Sequence, residues 1–293
     1  GSISIAVNDE RMAELKRKAD FAALFDVEAH YLHTEEIAER WPLMNADGVL
    51  GGIHMPSDGS ANPIDLTQAL AKGARMHGAR LEEGVRVTGL ALRGERISSV
   101  ETDQGSVACE TVVNCAGLWA PEVGAWAGVD VPLWPIKHKY VVTEPIEGLA
   151  PDLPTLRDPD LRTYFKEEVG GLAFGGYEPD PEPWDDPPPA DFSFQLFGDD
   201  WDHFAQHMEA ALVRIPALAE TGIKQMINGP ESFTPDGNAL MGRAPGSANM
   251  VVGAGFNACG IASGGGAGRA LAHWAMEGRA PLDLAALDIA RFG

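Results

Sequence analysis

The chain has 293 residues, 45% hydrophobic and 22% charged, a globular composition long enough to bury a sizeable core in one large domain or two interleaved ones. A formal charge of −21 at pH 7 argues against nucleic acid or an anionic membrane as partner, although local basic residues can still hold a small anion. The three cysteines, Cys109, Cys115 and Cys259, are scattered without a CxxC pair, so neither a disulfide framework nor a zinc site is expected, and a reducing cytoplasm fits.

The first segment, SISIA, reads as a strand, and Asn8 or Asp9 as the cap of a helix through Met12, Leu15 and Lys18. Thr34-Glu35-Glu36 caps a second, short helix that stops at Trp41-Pro42. VLGGIHMP (49–56) is strand-like, and Pro63 opens a helix that runs to Gly78. From Ala79 to Asn114 the period becomes β, with ARLEEG, VRVTGLALRG, RISSVETDQG and SVACETVVNCAG as short strands. Residues 131–144, 161–168 and 170–178 are further strand candidates, and the acidic, proline-rich stretch 178–192 is predicted to be an exposed loop. The helix predicted over 199–216 places Trp201, Phe204, Met208, Ala211 and Leu212 on one face. His203 and His207 have metal-like i,i+4 spacing but no third ligand, which predicts surface histidines. No uncharged apolar run approaches the ~20 residues needed to cross a bilayer.

Two glycine-bearing junctions carry the chemistry. VVGAGFNACGIASGGGAG (251–268) is strand, glycine loop, then helix. It imitates GxGxxG only loosely, because the third glycine falls late and no βαβ unit follows. A pyrophosphate grip is therefore rejected. The preferred reading brings bare backbone against a flat ring, with a helix from Gly260-Ile261 aiming its positive end at a ring that gains negative charge on reduction. VVNCAGLWAP (112–121) is a strand ending in Ala116-Gly117, with Trp119 entering a helix at Pro121.

These segments, with HMPSDGSANP, IKHKYVVTEP, LRDPDLRTYFKEEVGGLAFGGYEP and NGPESFTPDGNALMGRAP, closely resemble the dimethylglycine and sarcosine dehydrogenase family, flavoproteins of the wider D-amino-acid-oxidase fold group. The resemblance covers almost the entire chain. It implies an α/β fold with an α+β insertion: a Rossmann-like FAD-binding domain, its first βαβ unit missing, interleaved with an antiparallel substrate-binding sheet. Residues 1–130 would be mostly FAD-binding, with about 1–55 shared with the substrate domain. Residues 131–228 would form the substrate sheet and helix, and 229–293 the last FAD-binding segment. By the same resemblance Ala116, Gly117 and Trp119 lie against FAD, and Val85 and Val87 face its adenine side. Gly255, Phe256, Gly260 and Ile261 border the isoalloxazine, and Asp236 is a structural turn residue. The family's GxGxxG unit and its flavin-linking histidine have no counterpart, and the chain ends before the folate-binding domain of long members. The expectation is a piece truncated at its N-terminus, with tetrahydrofolate used only in a longer form.

The implied reaction is oxidative N-demethylation of a small N-methyl amino acid, dimethylglycine or sarcosine. A hydride passes to flavin, and electrons leave to an electron-transfer flavoprotein or oxygen. A protonated amine must first lose a proton, for which histidine, with an unperturbed pKa of about 6.5, is suited. His138 and Tyr164 match the family's active-site histidine and tyrosine. Alternation in KHKYVV puts His138 and Tyr140 on one face, opposite Lys137 and Lys139. Trp134, Tyr140 and Phe174 are candidate aromatic walls, each worth ~0.5–2 kcal/mol to a cation. Arg162 is the candidate fork for the substrate carboxylate. The alternatives are a non-catalytic relative, of the type of the pyruvate dehydrogenase phosphatase regulatory subunit, or an inert truncated fragment.

Overall fold

The computed structural model describes residues 1–184, 188–189 and 191–293, so part of the proline-rich stretch 178–192 lies outside the described residues. In chain order, β1 (Ser2–Ala6) leads into α1 (Asp9–Ala23), whose cap Asn8 accepts from the Arg11 amide. β2 (His30–Leu32) and α2 (Thr34–Arg40) follow. The cap of α2 is His33 rather than Thr34: the Glu36 carboxylate accepts from the His33 amide, and the Thr34 hydroxyl donates instead to the Val49 carbonyl. Next come β3 (Gly51–Met55) and the proline-opened α3 (Pro63–Met76). The segment ARLEEG forms no strand; it lies between two turn glycines of positive φ, Gly78 and Gly84.

The expected run of strands is present as β4 (Val87–Arg93), β5 (Arg96–Thr102), β6 (Gly105–Ala108) and β7 (Val112–Asn114). After α4 (Ala120–Ala125) come β8 (Trp134–Thr143), β9 (Thr155–Asp158), β10 (Thr163–Glu168), β11 (Gly171–Gly176) and β12 (Glu182–Pro183). The chain closes with α5 (Trp201–Arg214), β13 (Ile223–Phe233), β14 (Leu240–Arg243), β15 (Met250–Ala254) and α6 (Gly260–Glu277).

Two compact units share these elements. The first comprises Gly1–Asn62, His138–Pro181 and Gln195–Gly229; the second Pro63–Lys137, Glu182–Phe194 and Pro230–Gly293. In the first unit one sheet runs β8-β11-β10-β9-β1-β3-β2, antiparallel except for the parallel β1–β9 pair. Its core gathers Ile3, Ile5, Trp41, Val141, Leu156, Phe165, Leu172, Phe174 and, from α5, Phe204 and Ala211. The buried stripe of α5 is Phe204, His207, Ala211 and Arg214, whereas Trp201 is 44% exposed. His207 is therefore not the surface histidine its spacing suggested. Two polar side chains are tolerated in that stripe because acids meet them, Asp158 at Arg214 and Glu178 near His207.

In the second unit, parallel β7 and β15 with antiparallel β14 carry α6, which buries Ala267, Ala270, Leu271 and Trp274 against Met241 and Val251. A separate antiparallel sheet, β4-β5-β6, is tied on by Asn249, which accepts from the Ile97 amide and donates to the Ile97 and Glu110 carbonyls. A parallel α/β layer and a largely antiparallel sheet within one chain are the expected α/β fold with an α+β insertion.

Candidate active site

In the first unit, strand register builds a polar surface from residues far apart in sequence. Tyr140, Gly175, Tyr164, Arg157 and Ser4 are successive cross-strand neighbours on β8, β11, β10, β9 and β1, so they occupy one face. Gly175 is a required gap in this row. A Cβ there would stand 2.8 Å from Tyr140 Cβ and 2.9 Å from both the Lys139 carbonyl and the Tyr164 hydroxyl. Burial, then the neighbouring Tyr140, Tyr177 and Glu178, pushes the Tyr164 phenol above its ordinary value, with Arg157 opposing. Tyr164 thus keeps its proton at neutral pH and acts as a hydrogen-bond donor. The Arg157 side chain makes no ion pair or hydrogen bond among the described residues.

His138 shares the face of Tyr140, and its ring lies 5.7 Å from that of Tyr177. His138 Nδ1 is 3.0 Å from Glu178 Oε2, with side chains 13% and 2% exposed. Burial alone would raise the Glu178 carboxyl. The hydrogen bond with His138 and the nearby imidazole of His207 outweigh it and hold the group well below the usual carboxylate range. An ionised carboxylate only accepts, so the proton of that bond resides on His138 Nδ1. A neutral imidazole in this tautomer has its basic lone pair on Nε2.

Lys139 points to the other face and is fully buried, a charged residue among Val141 and Thr143 on the core side of β8. Its Nζ is 2.9 Å from His203 Nδ1 and 3.2 Å from Asp200 Oδ2. Because an ammonium can only donate, His203 Nδ1 accepts, and His203 Nε2 donates to the Asp180 carbonyl at 2.9 Å.

The second unit holds the glycine loop. Gly255, Asn257 and Ala258 all take positive φ, an unusual run that buried Asn257 secures. Asn257 Oδ1 accepts from the Thr234 amide at 2.9 Å, and Nδ2 donates to the Gly255 carbonyl at 2.8 Å. A Cβ at Gly255 would collide with Leu133 Cδ2 at 2.4 Å, so the left-handed turn and the close packing both demand glycine. The loop delivers the N-terminus of α6, whose first-turn amides lack intrahelical acceptors and whose positive dipole end favours anionic ligands. In the other junction, buried Asn114 accepts from the Ala116 amide at 3.2 Å and donates to the Ala120 carbonyl at 2.9 Å, clamping the turn at Gly117.

Of the predicted site residues, His138, Tyr140 and Tyr164 come together on one sheet face of the first unit. Trp134, half exposed, belongs to the part of β8 in the second unit. Arg162 stands in the turn before β10 with left-handed φ, so strand alternation does not set its side, and its carbonyl accepts from the Tyr177 amide. Phe174 is not a wall: it is fully buried between Phe165 and Phe204, 6.0 and 5.9 Å between ring centres. In the second unit, Ala116, Gly117 and Trp119 form the turn after β7, and Gly255, Phe256, Gly260 and Ile261 the loop and start of α6. Val85 precedes β4 and Val87 begins it, part of the separate three-stranded sheet. Asp236 has a structural role, paired through both oxygens with Arg291 at 2.8 and 3.0 Å. Glu178 and Arg157 went unnoticed in the sequence, where only the GGYE end of a strand beside His138 hinted at the first, and His207 was read as a surface histidine.

Comparison with known proteins places this geometry. The family described as FAD dependent oxidoreductase matches residues 1–274. Mitochondrial sarcosine dehydrogenase of Mus musculus is 42% identical over 297 residues, covering 100% of this chain and 32% of its own length. Mitochondrial dimethylglycine dehydrogenase of Rattus norvegicus is 39% identical, covering 100% of this chain and 35% of its own. The chain thus spans about a third of these curated relatives. Among solved structures, L-proline dehydrogenase from P. horikoshii superposes with a TM-score of 0.86 at 26% identity, covering 99% of this chain and 76% of that one.

The residues present are compatible with an anionic cofactor such as FAD. A Cβ at Gly264, Gly265, Gly266 or Gly268 of α6 would meet nothing within 4 Å, so the helix offers a bare, exposed face beside its positive end. Sequence, fold and this cradle agree: the chain belongs to the FAD-dependent oxidoreductase family.

Proposed function

We propose that this chain is the ring-side and substrate-side portion of a FAD-dependent oxidoreductase acting on a small N-methyl amino acid of the sarcosine or dimethylglycine kind. The observation that carries the reading is the 3.0 Å contact of His138 Nδ1 with the buried Glu178 carboxylate, beside the sheet face that bears Tyr140, Tyr164 and Arg157. When bound, FAD supplies a two-electron acceptor for the hydride of the N-methyl carbon. The protein's own work begins earlier. His138 Nε2 takes the ammonium proton and frees the nitrogen lone pair without which the C–H bond does not yield hydride. Tyr164, protonated, donates a hydrogen bond to the substrate, and Arg157 receives the substrate carboxylate in a bidentate fork. Tyr140 supplies an aromatic edge to the cationic amine. The oxidised carbon, an iminium, takes up water and leaves as formaldehyde, or passes to tetrahydrofolate in a longer form. From a bound FAD, electrons would pass on to an electron-transfer flavoprotein or to oxygen.

Residues of the second unit, Ala116, Gly117, Gly255, Phe256, Gly260 and Ile261, would hold the cofactor by backbone approach. The test is anaerobic mixing of the FAD-loaded protein with sarcosine and with dimethylglycine. The yellow absorbance is expected to bleach with one or both. Colour that persists with every N-methyl amino acid tried overturns the reading in favour of a non-catalytic role.

A further inference from the structure

His138 is not held by Glu178 alone. On the carboxylate's other side, Oε1 lies 3.9 Å from Nε2 of His207, which rises from α5 on the opposite face of the sheet. Both atoms are fully enclosed, and neither has a hydrogen-bond partner among the described residues. Such a pair is costly unless it is used, since unpaired buried polar groups lose the solvation they had in water. The packing that creates it is specific. Gly176 precedes it on β11, and a Cβ there would stand 2.1 Å from the Arg162 carbonyl and 2.7 Å from His207 Nδ1. The absent side chain is what lets the imidazole of α5 reach past the strand toward Glu178. The other groups around the carboxylate are Tyr164 of β10 and the adjoining Tyr177; Lys139 has its own acid and histidine, Asp200 and His203, on the first turn of α5.

We propose that Glu178 and His207 are positioning residues. Glu178 fixes the Nδ1–H tautomer of His138, and His207, from the far face of the sheet, fixes the Glu178 carboxylate. Resting on the proposed function, this arrangement keeps Nε2 of His138 as the atom that takes the substrate's proton. The same logic places an acid behind the base in nucleophile–base–acid triads, where the wrong tautomer disables catalysis while the geometry survives. Here the acid is itself braced from behind.

The experiment reads tautomers directly. Histidine is labelled with 15N in the FAD-loaded protein, and long-range 1H–15N spectra are recorded for the wild type, Glu178→Gln and His207→Gln. In the wild type, neutral His138 should show a proton on Nδ1. Glu178→Gln should mix the two tautomers and slow flavin reduction by about 100-fold or more, with the substrate concentration at half-saturation little changed. His207→Gln should give the same two changes in smaller measure. A His138 spectrum that is identical in Glu178→Gln overturns the proposal, as does slowed reduction with the tautomer intact. If the wild type bleaches with no N-methyl amino acid, the functional reading fails, while the spectra still decide whether the brace exists.

Discussion

Phe165 and Tyr164 are neighbours on β10, and their side chains leave the sheet in opposite directions. Phe165 lies in a cross-strand row with Val141, Phe174, Leu156 and Ile3, all fully buried. Tyr164 lies in the adjacent row with Tyr140, Gly175, Arg157 and Ser4, where hydroxyls, a gap and a guanidinium replace hydrocarbon. The first row stabilises by removing apolar area from water and by close packing, in which each ring limits the next. The second contributes little packing but concentrates donors and a positive charge where a small anion-bearing molecule can meet them. One residue of register separates the two, so a slip that preserved every strand would exchange their places and destroy both.

The sharpest contrast comes from truncating the first row. Phe174→Ala should cost about 3–5 kcal/mol in urea unfolding, because a large ring is removed from a site closed by Phe165 and Phe204. A loss below about 1 kcal/mol would mean that the row collapses freely, contrary to the packing described. An intermediate effect should come from acid. Glu178 titrates lower folded than unfolded, because its hydrogen bond with His138 and the nearby His207 outweigh burial. Its contribution is therefore complete above the unfolded value of about 4.3 and is lost as pH falls through the folded value. Urea midpoints of the wild type should accordingly drop more steeply below about pH 4 than those of Glu178→Gln, and equal slopes would remove the carboxylate from the stability balance.

The smallest effect on stability belongs to the second row. Arg157→Met should change unfolding by no more than about 0.5 kcal/mol, since this exposed side chain has no ion pair or side-chain hydrogen bond among the described residues to lose. It should nevertheless weaken binding of a carboxylate-bearing methylamine in the FAD-loaded protein while leaving binding of a methylamine without a carboxylate unchanged. Equal weakening of both would make Arg157 a general support and not a carboxylate anchor.

Much of this fold was legible in residue order. Period-two alternation located β1, β3 and β8, and the switch from glycine loop to helix at Gly260 located the start of α6. Alternation in KHKYVV also separated His138 and Tyr140 from Lys139 correctly. It could not say that the lysine face is the buried one, because that follows from Asp200 and His203 arriving on α5 to meet the charge. The apolar face of α5 was read correctly at Phe204, Met208, Ala211 and Leu212 but not at Trp201, and its two buried polar residues were missed for a related reason. Hydrophobicity favoured Trp201, which is half exposed, while Arg214 and His207 go inside because Asp158 and Glu178 await them. Arg162 attracted notice by its closeness to Tyr164 in the chain, while Arg157 became its neighbour only through the antiparallel pairing of β9 and β10.

By itself, the amino-acid order determined the short-range features: where strands and helices begin, which junctions must be glycine, and which family the chain resembles. These depend on dihedral preference, side-chain period and turn chemistry, all settled within a few residues. Tertiary structure alone decided which face of a strand is buried, which arginine stands beside Tyr164, and that one carboxylate is shared by histidines from β8 and α5. Those outcomes depend on register and on which charged group finds its counter-charge across the sheet, and such pairings join residues dozens of positions apart.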